Sequence, residues 1–231
     1  MWAVLPIKDL DAAKQRLTDV LSPAERRGLF RAMVEDVLAA LTGVAALDGV
    51  MIVSGDPEAA ALADRYGARM LHEPENQGHT AAVTTAASVL VAEGADGMVQ
   101  IPGDVPLVTA EEVAGVLALH GSVPAMTIVP AHDERGSNCV VLSPPDVMPL
   151  RFGNDSFFPH LASARERGLE PRIVEMPGLA LDIDTPADLQ LLLQRPAPTR
   201  THVFLDDSGI AARLGASPIG SAAAMPATQQ A

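Results

Sequence analysis

Short apolar runs alternate with amphipathic stretches along most of this chain, and that rhythm limits the fold more than any single motif does. The spacing predicts strands over 3–7, 50–54, 69–72, 98–101, 125–129, 139–142 and 172–175. Helix patterns lie between most of them. Ser22-Pro23-Ala24-Glu25 combines a capping serine, a proline in the first turn and a capping-box glutamate, and it opens an apolar face of Leu29, Met33, Val37 and Leu41. Asp56-Pro57-Glu58, Thr109-Ala110-Glu111-Glu112 and Thr185-Pro186-Ala187-Asp188 are similar helix starts. Strand–helix alternation implies a mostly parallel sheet covered on both faces, because the crossover connections place helices there. Ligands of such sheets bind outside the carboxyl ends of the strands.

The 231 residues are 48% hydrophobic and 19% charged, a globular composition large enough for one α/β domain. The rhythm fades after Leu193, where Pro196, Pro198, Pro218 and Pro226 are spread among Thr, Ser, Ala and Gln. Residues 194–231 are therefore expected to be a C-terminal extension, disordered over the last dozen residues, with room for an edge strand at 201–205 and a turn of helix at 210–214. A net charge of −13 argues against broad nucleic-acid or anionic-membrane binding, which needs a basic footprint. It leaves room for a small anionic substrate, since a few cations can reverse the sign inside one cleft. The lone Cys139 forms no intrachain disulfide, reads as inert strand packing and suits a reducing cytoplasm. The N-terminus lacks the pattern of a signal peptide, and no apolar run approaches the ~20 residues of a membrane span. The expected location is cytoplasmic.

Three places carry candidate chemistry. Asp182-Ile183-Asp184-Thr185-Pro186 puts two carboxylates on one face of an extended segment, at an expected strand-to-helix junction. Asp104 follows another apolar run, between Pro102 and Pro106. Acids gathered at strand ends suggest Mg²⁺ with substrate phosphates, although each acid alone also suits a helix cap or a turn. Lys8, Lys14 and Arg16 place three cations within nine residues after the first strand, where a triphosphate can be gripped. A solvated basic helix start is the alternative, and neither a Walker A sequence nor G-x-G-x-x-G is present. Glu75-Asn76-Gln77-Gly78-His79-Thr80 precedes an Ala-rich helix, so Gly78 and His79 can offer a helix N-terminus to an anion or a nucleobase. An ordinary β–α loop is the alternative, with His79 a polar loop residue rather than a base. Asn138 and Ser156 offer neutral hydrogen bonds to a small carboxylate or phosphate, and Gly153 permits close backbone approach. Phe152, Phe157 and Phe158 read as a satellite apolar cluster.

An ordered set of these pieces resembles the guanylyltransferases of coenzyme F420 biosynthesis, over roughly residues 1–193. The set comprises Pro6-Ile7-Lys8, Ala13-Lys14-Gln15-Arg16-Leu17, Leu21-Ser22-Pro23-Ala24-Glu25-Arg26, Pro102-Gly103-Asp104-Val105-Pro106-Leu107, Gly136-Ser137-Asn138, Phe152-Gly153-Asn154-Asp155-Ser156-Phe157 and Asp182-Ile183-Asp184-Thr185-Pro186. The resemblance implies a nucleotidyltransferase domain over 1–193 with a nucleotide-diphospho-sugar-transferase-like fold, a Rossmann-type three-layer α/β/α sandwich with a mostly parallel mixed sheet. It implies GTP as co-substrate and phosphoenolpyruvate, 2-phospho-L-lactate or 3-phospho-D-glycerate as the acid that receives GMP. Mg²⁺ on Asp104, Asp182 and Asp184, Lys8 near the phosphates, and acid contacts near Asn138, Gly153 and Ser156 also follow from it. Residues 8–16 stand where the broader superfamily has a Gly-rich loop. A homodimer and a downstream transferase are the partners it suggests. A nucleotidyltransferase for a sugar phosphate, or a non-catalytic nucleotide-binding protein of this fold, are the competing readings.

Overall fold

All seven expected strands form, and they join one sheet. The computed structural model describes residues 1–11, 13–73, 77–153 and 155–215. The strands are β1 (Trp2–Pro6), β2 (Gly49–Ser54), β3 (Arg69–His72), β4 (Met98–Gln100), β5 (Ala125–Pro130), β6 (Ser137–Ser143) and β7 (Arg172–Ile173). Their order across the sheet is β3-β2-β1-β4-β6-β5-β7. β6 runs antiparallel to both of its neighbours, and every other adjoining pair is parallel. The chain builds outward from β1 through β2 to β3, then returns to lay β4 on the other side of β1. That reversal opens a crevice at the carboxyl ends of β1 and β4.

Side chains alternate between two buried clusters, one on each face. Ala3, Leu5, Val50, Ile52, Val99 and Val141 face one cluster, which also takes Leu29, Met33, Val37 and Leu41 of α1 (Pro23–Thr42). Val4, Met51, Val53, Met98, Val140 and Leu142 face the other, with Ala82, Val83, Ala86 and Leu90 of α3 (His79–Ala92) and Leu161 and Ala164 of α5 (Phe157–Glu166). The result is the three-layer sandwich expected. The helix starts form as read. Ser22 and Glu25 complete their capping box, and Asp56 and Thr109 cap α2 (Pro57–Tyr66) and α4 (Ala110–Leu119).

Two expectations are corrected. Segment 201–205 is no edge strand but the heart of α8 (Arg200–Asp207). The β-branched Thr201 and Val203 favour a strand locally, but tertiary contacts decide otherwise. Asp36 on α1 accepts hydrogen bonds from the backbone N–H of Arg200 and Thr201 and from the Thr201 hydroxyl. Phe204 fits against Gly28, where a Cβ would stand 2.5 Å from its ring. Leu205, with Ile210 and Leu214 of α9 (Ile210–Gly215), joins the same buried cluster as α1. The second correction concerns the 182/184 acids, which do not follow a strand. They follow α6 (Pro177–Ala180) and lead into α7 (Pro186–Leu193). Segment 216–231, with the expected disorder of the last dozen residues, lies outside the described residues.

Candidate active site

The cleft at the β1/β4 end encloses a cavity of about 800 Å³. Lys8 follows β1 directly and lines it. Lys14 sits farther along the same loop in a left-handed conformation, at φ 55°, which costs a non-glycine residue energy and has to be held by its surroundings. Its ammonium provides the hold. Nζ donates to Asp104 Oδ2 and, at 2.8 Å, to Asp184 Oδ1. The side chain is only 5% exposed. Burial works to lower the Lys14 pKa, but the two carboxylates outweigh it and the net shift is upward, so the group stays charged. Arg16 Nη1 lies 3.7 Å from Asp184 Oδ2.

Asp104 occupies the turn after β4. Gly103 lets that turn lie on α1, since a Cβ there would come within 2.9 Å of Val34. The 181–184 segment alternates, with Leu181 and Ile183 fully buried and both aspartates turned toward the cavity. Ile183 N–H donates to Asp104 O at 3.0 Å, which ties the two acidic loops together. Upstream, Glu112 of α4 accepts from Gly178 N at 2.7 Å and Leu179 N at 3.1 Å, satisfying the free N–H groups of α6. Downstream, Asp188 Oδ2 accepts from Asp184 N, Thr185 N and Thr185 Oγ1. Burial pushes the Asp182 carboxyl up to about 6, and the charge of Asp104 adds to it. Burial also raises Asp184, but Lys14 overrides it and the net shift is downward.

On the other wall, Asn138 of β6 donates through Nδ2 to Ala180 O and to Asp182 Oδ1, at 3.1 and 3.0 Å. Its amide therefore orients an acid as well as lining the cavity. A Cβ on Gly153 would meet nothing within 4 Å, so its backbone is open to approach. Ser156 is buried and donates to Ser137 Oγ at 3.0 Å. His79 opens α3 with its ring 4.4 Å from that of Phe152, and its Nε2 lies 3.1 Å from Gln100 Nε2. Burial, with Lys8 nearby, pushes its pKa down to about 4, so the ring is neutral near pH 7.

Lys8, Lys14, Arg16, His79, Asp104, Asn138, Gly153, Ser156, Asp182 and Asp184 all line this one cavity. Gly78 does not; it caps α3 at φ 95°. Glu75, Asn76 and Asn154 lie outside the described residues. Of the aromatic residues, Phe157 is buried in the second core cluster with Phe152 packed against that cluster, and Phe158, though largely exposed, keeps its ring 5.1 Å from that of Phe157. Phe152 also packs between the rings of His79 and His160. The cavity is also lined by Arg135, His132, Ser137 and Asp188, none of which sequence reasoning assigned. Arg135 Nε pairs with Asp155 at 2.7 Å, and His132 Nε2 lies 3.5 Å from Asp188 Oδ1. The Gly136-Ser137-Asn138 run pointed toward Ser137, and Asp188 was visible only as part of the Thr185-Pro186-Ala187-Asp188 helix start.

As the side chains lie, no three His, Cys, Asp or Glu among the described residues are grouped to hold a metal ion. Lys14 supplies the positive charge between Asp104 and Asp184. The donor chemistry nonetheless fits a divalent cation. Asp104 Oδ1 is buried without a hydrogen-bond partner, and Asp182, raised first by burial and then by the charge of Asp104, adds a second carboxylate to the same cavity. Mg²⁺ needs only one or two carboxylates beside substrate phosphates.

The model of the family described as guanylyl transferase CofC like matches residues 1–223. The chain is 38% identical over 192 residues to a phosphoenolpyruvate guanylyltransferase of Rubrobacter xylanophilus, covering 83% of this chain and 93% of that protein. It is 34% identical over 203 residues to a 2-phospho-L-lactate guanylyltransferase of Methanothermobacter thermautotrophicus, covering 88% of each. Among solved structures, it superposes on a protein of Desulfovibrio desulfuricans G20 described as a nucleotide-diphospho-sugar transferase with a TM-score of 0.72. That match has 20% identity and covers 92% of this chain and 96% of the other, and at that identity it speaks for the fold alone. No helix among the described residues is long and apolar enough to cross a membrane.

Proposed function

We propose that this chain, which belongs to the CofC-like guanylyl transferase family, joins GMP from GTP to a phosphorylated three-carbon acid and releases diphosphate. By that membership it is a nucleotidyltransferase. Phosphoenolpyruvate is the first acid to try, because relatives at 38% identity carry that name. The observation that carries the reading is one cavity lined by both kinds of group. Lys8, Lys14 and Arg16 gather there with Asp104, Asp182 and Asp184, and Asn138, Gly153 and Ser156 line the same space, Asn138 being bonded to Asp182.

The chemistry asks for two anions to be brought together. A phosphate oxygen of the acid attacks the α-phosphorus of GTP, a new P–O bond forms, and the bond to the diphosphate breaks. A phosphate monoester is already anionic near pH 7, so no strong general base is required, in keeping with a neutral His79. Lys8 and Arg16 offset the phosphate charge, and Lys14 answers the negative charge of Asp104 and Asp184. Asp104, Asp182 and Asp184 would hold Mg²⁺, which supplies further charge neutralisation at the phosphate oxygens. The open face of Gly153 leaves room for the acid against the backbone. The product is an activated acid, suited to a downstream transferase in coenzyme F420 biosynthesis.

The test is diphosphate release with Mg²⁺, GTP and each of phosphoenolpyruvate, 2-phospho-L-lactate and 3-phospho-D-glycerate, with ATP and CTP as nucleotide controls. Release with GTP and one acid is expected. Release only with CTP or ATP, or only with a sugar phosphate, would overturn the assignment.

A further inference from the structure

Behind the part of the cavity wall formed by Ser137 and Ser156, the buried His160 sets the hydrogen-bonding role of Ser137. Its Nε2 lies 2.9 Å from the backbone nitrogen of Arg151, which can only donate. Nε2 is therefore the acceptor, and the single ring proton of a neutral imidazole sits on Nδ1. Burial holds His160 neutral near pH 7, with its pKa pushed down to about 4. Nδ1 lies 3.0 Å from Ser137 Oγ and donates to it. Ser156 Oγ donates to the same oxygen at 3.0 Å. Both lone pairs of Ser137 Oγ are then occupied, and its own proton is left over. The two serine hydroxyls have two protons between them and share one hydrogen bond. Among the described residues the second proton has no acceptor, and both serines line the cavity.

We propose that Ser137 is a donor-only binding residue for an anionic oxygen of the acid substrate, and that His160 is the positioning residue that keeps it so. Were Nδ1 an acceptor, it would take the spare proton and leave nothing to offer the ligand. With one lone pair held by His160 Nδ1–H and the other by the Ser156 hydroxyl, Ser137 can only donate. A carboxylate or phosphate oxygen, which can only accept, suits this hydroxyl. A ligand group that must donate finds no free lone pair on Ser137. A hydrogen bond to an anionic oxygen is charge-assisted, so the pair favours an acid over a neutral acceptor such as a sugar hydroxyl at this point of the cavity. This inference rests on the proposed reaction and names the group that reads the charge of its second substrate.

Steady-state kinetics of the full chain, with the acid and GTP varied separately, test it. Ser137→Ala should raise KM for the acid by about ten- to a hundredfold, the loss expected for one hydrogen bond to a charged group, with KM for GTP within about threefold of the parent. His160→Leu, checked for folding by circular dichroism, should do the same. His160→Gln has an amide oxygen for Arg151 N–H and an amide N–H for Ser137, so it should recover most of the loss. Unchanged acid KM in folded Ser137→Ala and His160→Leu would overturn the proposal. So would equal rises in both KM values, or a His160→Gln defect as large as that of His160→Leu in a protein folded to the same extent. If the parent protein turns over none of the three acids, the proposed reaction itself fails and this inference falls with it. If the parent is active and the variants match it, the inference alone fails.

Discussion

At the scale of single residues, the site is a matter of where charge is placed. Lys14 bridges Asp104 and Asp184 from a left-handed backbone position, and its side chain is almost wholly enclosed. Replacing it with Met keeps the stem and removes the ammonium, leaving carboxylates to face one another. Lys14→Met should lower kcat by about a hundredfold or more, the scale seen when one preorganised electrostatic group is lost. Steady-state assay of a protein with a parent-like circular dichroism spectrum checks this, and kcat within fivefold of the parent would contradict it. His79 and His160 make a separate prediction. Both are held near pKa 4 by burial, against about 6.5 in an unfolded chain. Between those values the unfolded chain binds protons that the folded one refuses, so their contribution is intact above pH 6.5 and is lost as pH falls toward 4. Asp182, raised to about 6, works in the opposite direction over part of that range, but one carboxyl does not cancel two imidazoles. Chemical denaturation at pH 7 and pH 5 should therefore show stability falling with acid. In His160→Gln that fall should shrink by roughly 2 kcal/mol. An identical pH dependence in parent and variant would count against a neutral His160.

At the scale of elements, the acid loops are positioned by the helices around them. Glu112 reaches from α4 to the N-terminus of α6, and Asp188 reaches back from α7 to Asp184 and Thr185. Asp188→Ala removes the carboxylate half of the α7 capping box and the anchor of Asp184 together. It should cost about 1 kcal/mol of stability, as lost caps do, and lower kcat about tenfold, the second effect coming from a misplaced carboxylate. Urea unfolding and kinetics separate the two, and a stability loss with unchanged kcat would leave Asp188 a purely structural cap. These elements also show why some features were legible in the sequence. Ser22, Asp56, Thr109 and Thr185 cap helices through partners two or three residues away, so local pattern suffices. The N-terminus of α8 has a local Thr199 cap, but the N–H groups of Arg200 and Thr201 are satisfied by Asp36, more than 160 residues distant, and the room for Phe204 comes from Gly28. Neither partner can be read from the Thr-His-Val-Phe-Leu segment. The acids and basic residues of the cavity were visible as runs at the ends of apolar segments. Ser137 and His160 were not, because their roles depend on contacts that cross 9 to 23 positions and on which ring nitrogen carries a proton.

At the scale of the whole molecule, the last described helices are part of the body that holds the site. Leu205, Ile210 and Leu214 are buried with α1, and α1 in turn supports the Gly103–Asp104 turn through Val34. Ending the chain at residue 199 would expose three apolar side chains' worth of core, roughly 5 kcal/mol or more at about 1.5–3 kcal/mol each, and would strip Asp36 of its partners. That chain should unfold well below the parent's denaturant midpoint, whereas one ended at 215 keeps every described element. Equal midpoints for the two truncations would refute the structural role given to α8 and α9. The net charge of −13 also acquires a shape at this scale: Lys8, Lys14 and Arg16 gather in one cleft of a molecule that otherwise repels anions. The claim on which the rest depends is transfer of GMP to an acid in that cleft. Its most direct test is a single incubation with GTP, Mg²⁺ and phosphoenolpyruvate, with diphosphate and the nucleotide product both quantified and the product identified by mass. One guanosine-diphospho-acid formed for each diphosphate released is the result expected. Diphosphate accompanied by free GMP, or no diphosphate with any of the three acids, would contradict it.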